Sequence, residues 1–463
     1  MRLPVALMML AVLPAILWET GDMAPASEDS AIPVAIYDAD PAHIWNRLYA
    51  ALLVREDRHG VRYGADSLDP PLWEETEHLL AGPSHVRALK VLDEFLQTHG
   101  ENLIRDPVKR ALLQRDLWAV FDWSVQQTPG YQRPDYDNEK RELQTRLAAA
   151  MRRLALSPKE IEALPDNYSQ AVASGAFAKE YAPSHGDQPF LPPDLFDPRG
   201  PWFWLEGGGE GPIAVSHVTA FSGRSSFLVF ILLPGGRKAT VDYLQKLWNF
   251  PEPWVHGPDS AADQAVANPD LPSFPAGTEV ALVRQMTLFD NQGNLAPALI
   301  IESVQMRVYH EVTATPARDF GGGDMGDVAR RSGQNFYQFT LSRPQLFAGK
   351  VGGLRATGRD EKDLPTFQTK GDDLVNDIAD NPHLKDTWPP ALQTCLMCHS
   401  GGGVRSLNSL EKLLKPNRQQ QDPSGDGAYT PGWWLTAGTP DWKQNRYDWG
   451  LLNGYWKAAA RPQ

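Results

Sequence analysis

The stretch on which the fold turns runs Val280-Ala281-Leu282-Val283-Arg284-Gln285-Met286-Thr287-Leu288-Phe289, then Asp290-Asn291-Gln292-Gly293-Asn294, then Leu299 to Tyr309. Two runs rich in β-branched and aromatic residues flank a turn made of Asp, Asn and Gly. That pattern predicts a β-hairpin. In its second arm Val304, Met306, Val308 and His310 share one face, and Gln305, Arg307 and Tyr309 the other. Further strands are predicted at Ile213–Thr219 and Ser226–Leu233, around the turn Ser222-Gly223-Arg224, and at Phe336–Leu341. Residues 200–350 therefore read as a β-rich, mainly antiparallel domain, with a sandwich as one arrangement that would cover both faces.

The pattern changes on either side. Residues 41–180 read as helical. Leu113, Leu117, Val120 and Ser124 recur at helical spacing, as do Leu143, Leu147, Met151 and Leu154. Ser157-Pro158-Lys159-Glu160 has the residues of a capping box, with Leu156 and Ile161 placed as a hydrophobic staple. Residues 181–212 are rich in Pro and Gly and read as linker or loops. Residues 365–463 read as a small, irregular and then helical region, with Leu407, Leu410, Leu413 and Leu414 as an apolar stripe behind Ser406. The expected class is α+β: an N-terminal helical bundle, a central antiparallel β-domain and a small helical C-terminal region. His43, His59, His78, His85 and His99 are scattered through the helical part and read as surface or satisfied histidines. The loop Gly321 to Asp327 lacks the spacing of a calcium loop.

The chain's two cysteines stand in one string, Cys395-Leu396-Met397-Cys398-His399. The C-x-x-C-H spacing is that of covalent haem attachment. Two thiols three positions apart can each add to one haem vinyl group. The adjacent imidazole then lies beneath the iron as proximal ligand. Zinc needs about four ligands, and this string offers three. A thioredoxin-type pair should open a helix after a core strand, but the preceding Asp386-Thr387-Trp388-Pro389-Pro390 reads as a loop. A plain disulfide leaves His399 without a role. The expected cofactor is one haem c on Cys395, Cys398 and His399.

Arg2, the apolar run Leu3–Trp18 and the small-residue string Ala24-Pro25-Ala26 form the three parts of a secretory signal, predicting residues 1–26 as a cleaved leader. The run is short of the ~20 residues that span a bilayer, so no transmembrane span is expected after cleavage. Over 463 residues, 42% apolar content is ample for a large core, and a net charge of −13 argues against nucleic acid as partner.

Residues 390 to 415 resemble c-type cytochromes. The resemblance implies an exported, bacterial periplasmic protein that passes electrons to or from a redox partner protein. The chain departs from the small soluble members in one respect: no Met and no His follows His399. A sixth iron ligand must come from upstream, where His217, Met286, Met306, His310, Met325 and His383 are the candidates. Met306 and His310 share a predicted strand face, Met325 sits in the glycine-rich loop, and His383 is nearest to the string. The expectation favours a haem with no strong sixth protein ligand, its far side closed by aromatic groups such as Trp433, Trp434, Trp442, Trp449 and Trp456, which otherwise pack the core. An open far side would make the protein a haem enzyme, peroxidase- or oxidase-like, or a gas-binding sensor. The order of a β-domain before a C-terminal C-x-x-C-H also looks distantly like the cytochrome P460 group, by analogy of order alone. A dihaem peroxidase would need a second such string.

Overall fold

The computed structural model describes residues 34–56, 62–64, 66, 78–126, 135–205, 212–256, 265–310, 333–361, 390–392, 395, 399, 403–407 and 439–460. Strong apolar alternation makes the sheet at its centre. Six strands lie in chain order across it: β1 Phe203–Leu205, β2 Ser225–Leu232, β3 Glu279–Phe289, β4 Leu295–Tyr309, β5 Gln334–Leu341 and β6 Leu354–Ala356. Every neighbouring pair is antiparallel, so the sheet is an up-and-down meander. The predicted hairpin is its middle, with Ala281 opposite Met306 and Val283 opposite Val304. The turn closes as its residues dictate. Asp290 Oδ1 accepts from the backbone N–H groups of Gln292 and Asn294, and Gly293 takes a positive φ of 87°.

The fold is mixed helix and antiparallel sheet, as the α+β reading expects. One helical layer consists of α1 Ile44–Leu53, α2 Gly82–Gln97, α3 Pro107–Gln126, α4 Asp137–Leu154, α5 Pro158–Glu162 and α6 Asn167–Ala173. The capping box at Ser157 and Glu160 forms in both directions. Leu117, Leu147 and Met151 from this layer share one core with Leu228, Phe230, Ala281, Val283, Val304 and Met306 from the sheet. Ile32–Gln463 is accordingly one compact unit, and the boundaries drawn near 180–200 and 350–365 fall within it.

Charged pairs are sealed into this seam. Arg115 from α3 reaches Glu302 of β4 at 3.0 Å, and both side chains are fully buried. Arg284 joins the same carboxylate at 2.8 Å, and Ser225 Oγ donates to it. Arg343 pairs with Asp116, which also accepts from Tyr37 Oη at 2.7 Å. Isolated buried charges are costly, and the multiple partners here meet that demand.

The opposite sheet face carries a smaller apolar cluster. It gathers Leu205, Phe227, Val229, Ile231 and Val280 with two helices, α7 Val215–Ala220 and α8 Gly236–Trp248, and with Val404 and Leu407 near the C-terminal string. Here the structure corrects the sequence reading: Ile213–Thr219 is not a strand. β-Branched Ile213, Val215, Val218 and Thr219 suit a strand, but the chain turns at Ile213 and Ala214 and then winds into a short helix whose Val218 buries against the sheet.

Two last helices, α9 Thr439–Gln444 and α10 Tyr447–Ala458, return to the first layer (the short helix Arg343–Phe347 is left unnumbered). Trp449 and Trp456 lie against Phe289, with ring centroids 5.1 and 5.2 Å away. These two tryptophans pack the large core. Trp433 and Trp434 lie outside the described residues. No helix among the described residues is long and apolar enough to cross a membrane.

Candidate functional site

A recess open to solvent lies on the sheet face away from the helical layer. Its floor is Val229, Val280, Leu282, Gln305 and Arg307, with Leu205 at one side. Ile213, Ala214 and His217 wall it from α7 and the turn before it, and His399 and Leu407 close the far side. The residues that the alternation of β4 puts opposite Met306, namely Gln305 and Arg307, are the ones that meet the recess.

The short 3₁₀ turn Gly403–Ser406 holds His399 in place. His399 Nδ1 lies 2.8 Å from the Ser406 carbonyl, so the ring donates there as the Nδ1–H tautomer. Gln334 Nε2 donates to the His399 carbonyl at 2.6 Å. Ser406 is fixed in turn. Its hydroxyl donates to the Gly403 carbonyl at 2.8 Å and meets the Tyr309 hydroxyl, while Arg307 donates to both its oxygens at 3.3 Å. Burial, then the Arg307 charge, holds the His399 imidazole at a pKa of about 3. The neutral ring therefore keeps an Nε2 lone pair, and no hydrogen-bond partner is found for that atom among the described residues.

Cys395 sits over the same face. Gln305 Nε2 donates to its sulfur at 3.9 Å, and the thiol donates to Gln338 Oε1 at 3.6 Å. Gln305 and Gln338 are register partners on β4 and β5. The structure thus brings Cys395 and His399 together above one face of the sheet. Cys398 lies outside the described residues.

The other candidates separate clearly. Met306 is fully buried in the large core, on the helix-covered face of β4, and does not reach the recess. The sequence reading kept that face open as one source of a ligand, but its apolar side chains are claimed by the helices. Met286 is buried in the same core. His310 is exposed at the end of β4, with Nε2 3.3 Å from the Tyr181 hydroxyl. Met325 and His383 lie outside the described residues.

The residue that is brought to His399 is His217. The two rings are parallel to within 4°, with centroids 6.0 Å apart. Burial, reinforced by the charges of Arg307 and Arg284, lowers the His217 pKa to about 4, so this ring is neutral too. His217 packs on Phe227 at 5.4 Å. Its helix is held from below by Arg284, whose guanidinium lies 3.7 Å from the centre of the Phe221 ring. The helix ends in the turn Ser222–Gly223, where φ is positive at both residues. A side chain at Gly223 would bring its Cβ within 2.9 Å of Trp442, so only glycine fits this turn. Reading Ile213–Thr219 as a strand hid His217. The signal available was the i, i+4 pair Ala214 and Val218, which makes His217 a flank of the buried stripe.

Among the described residues no group of three or more His, Cys, Asp or Glu side chains gathers as a metal-binding cluster. No protein-family model, no curated protein and no solved structure matches this chain.

Proposed function

We propose that this chain is an exported monohaem electron-transfer protein. One haem c is bound through thioethers to Cys395 and Cys398, with His399 as the proximal iron ligand. The observation that carries this reading is the hydrogen bond from His399 Nδ1 to the Ser406 carbonyl. It fixes the tautomer that leaves Nε2 as a donor, the arrangement in which a metal-ligating histidine is held.

The surroundings suit the group. The recess is mostly aliphatic, which matches the faces of a macrocycle, and Arg307 offers a cation to its carboxylates. Cys395 is held by Gln305 and Gln338 above the same face. The bound haem would supply one-electron exchange. The chain's own part is to anchor it, orient His399 through Ser406, and limit water over the apolar floor. A redox partner protein would dock over the open side. A leader ending at Ala26 would deliver the chain to the compartment where such attachment occurs, and the exported protein should begin at Ser27 or within about two residues of it.

The solvent-open recess favours a second reading, a haem enzyme or gas-binding sensor with a free coordination position. Visible spectra of the exported protein, oxidised and reduced, separate the two. Electron transfer predicts a low-spin haem that ignores carbon monoxide, and the second reading predicts a high-spin haem that binds it. His399→Ala should alter the Soret band and the reduction potential in either case. An unaltered spectrum in that variant would overturn the assignment of His399.

A further inference from the structure

We propose that His217 is the second axial ligand, facing His399 across the haem iron, so that the site is a bis-histidine centre. This rests on the haem reading above. Sequence spacing does not suggest the pair, since 182 positions separate the two residues (399 less 217). The fold makes it: α7 carries His217 and the C-terminal turn carries His399 to the same recess, ring facing ring.

Two imidazoles bound through one nitrogen each to opposite sides of a metal ion, with metal–nitrogen bonds of about 2 Å, place their centroids roughly 6 Å apart. The observed separation is 6.0 Å with the planes parallel to within 4°. Donor supply points the same way. Among the described residues, His217 is the only one lining the recess, besides His399, that carries an imidazole or a thioether. No hydrogen-bond partner for its ring nitrogens is found among the described residues. An imidazole that borders the recess in that condition can offer a ring nitrogen to a metal.

The positioning of α7 supports it further. Arg284 spans the sheet, bonding Glu302 at 2.8 Å and covering Phe221 at the end of the helix. The helix that carries His217 is therefore tied to a buried ion pair and is not a loose flap. A ligand from a well-anchored element stays on the iron through repeated oxidation and reduction, as an electron carrier needs.

The experiment uses the exported holoprotein, with covalent haem first checked by intact mass. The wild type should be low-spin when oxidised, by electron paramagnetic resonance, and should refuse carbon monoxide when reduced. His217→Ala should keep its covalent haem, become high-spin and bind one carbon monoxide per haem. Added imidazole should return it to low-spin. His217→Met should stay low-spin with a more positive reduction potential, since a thioether ligand raises the potential. This variant keeps the test alive if the alanine protein does not fold. The proposal is overturned if His217→Ala stays low-spin and refuses carbon monoxide, if the His217→Met potential does not move, or if the wild type is itself high-spin. Those outcomes leave the haem reading standing. A wild type with no covalent haem overturns both.

Discussion

The two faces of the sheet are built from the same strands and do different work. On β4, Val304, Met306 and Val308 sink into the core that the sheet shares with the helical layer. One residue along each time, Gln305 and Arg307 face a recess with two neutral histidines at its walls. The first face also holds the fully buried Arg115–Glu302 pair, while the second keeps a cavity and polar edges. Stability concentrated on one face allows the other to stay incompletely filled. A cofactor site needs that unfilled volume, and a small domain with one shared face could not supply it.

Substitutions on the two faces should therefore separate cleanly. The largest loss of stability is expected from Glu302→Ala, which strands the buried guanidinium groups of Arg115 and Arg284. Urea denaturation should show a loss of about 3–5 kcal/mol. Met306→Ala should cost about 2–5 kcal/mol by cavity formation. Its haem spectrum should nevertheless match the wild type, because Met306 lies on the far face. A changed spectrum would bring down the assignment of faces.

A smaller effect depends on pH. Burial, with the Asp194 and Glu180 charges, raises the Glu279 pKa to about 7 from 4.5. Between these values the native state holds a proton that the unfolded chain releases, so this group lowers stability as pH rises through that window. Glu279→Gln should gain on the wild type by about 3 kcal/mol between about pH 4 and pH 8. Paired denaturation curves at both pH values would test it, and a constant difference would contradict the assignment. The smallest effect belongs to Ser157→Ala, which removes a capping box exposed at the helix start, at about 1 kcal/mol. It should leave the haem untouched.

The central hairpin, the strand at Phe336, the helices through Leu117 and Leu147 and the capping box were all legible, because each is written in local periodicity or local hydrogen bonding. The alternation along β4 was legible too. What alternation does not say is which face each layer claims, so Met306 reads as one candidate ligand among six and Gln305 as none. The pairing of His217 with His399 was illegible for a different reason. It depends on β-branched residues forming a helix under tertiary packing, and on a contact between distant parts of the chain. The roles of Trp449 and Trp456 were open between haem cover and core, and their stacking on Phe289 decides for the core. The string at Cys395 is a motif contained in five residues, and its haem reading rests on that spacing.

The central proposal is that the recess face carries a haem joined covalently to Cys395 and Cys398. Its most direct test is the intact mass of the exported protein under denaturing conditions, beside the Cys395→Ala/Cys398→Ala double variant. The account predicts a gain of one haem in the wild type, retained through denaturing electrophoresis, and none in the variant. A wild type at its bare polypeptide mass, with any haem lost to acid–acetone extraction, would contradict it.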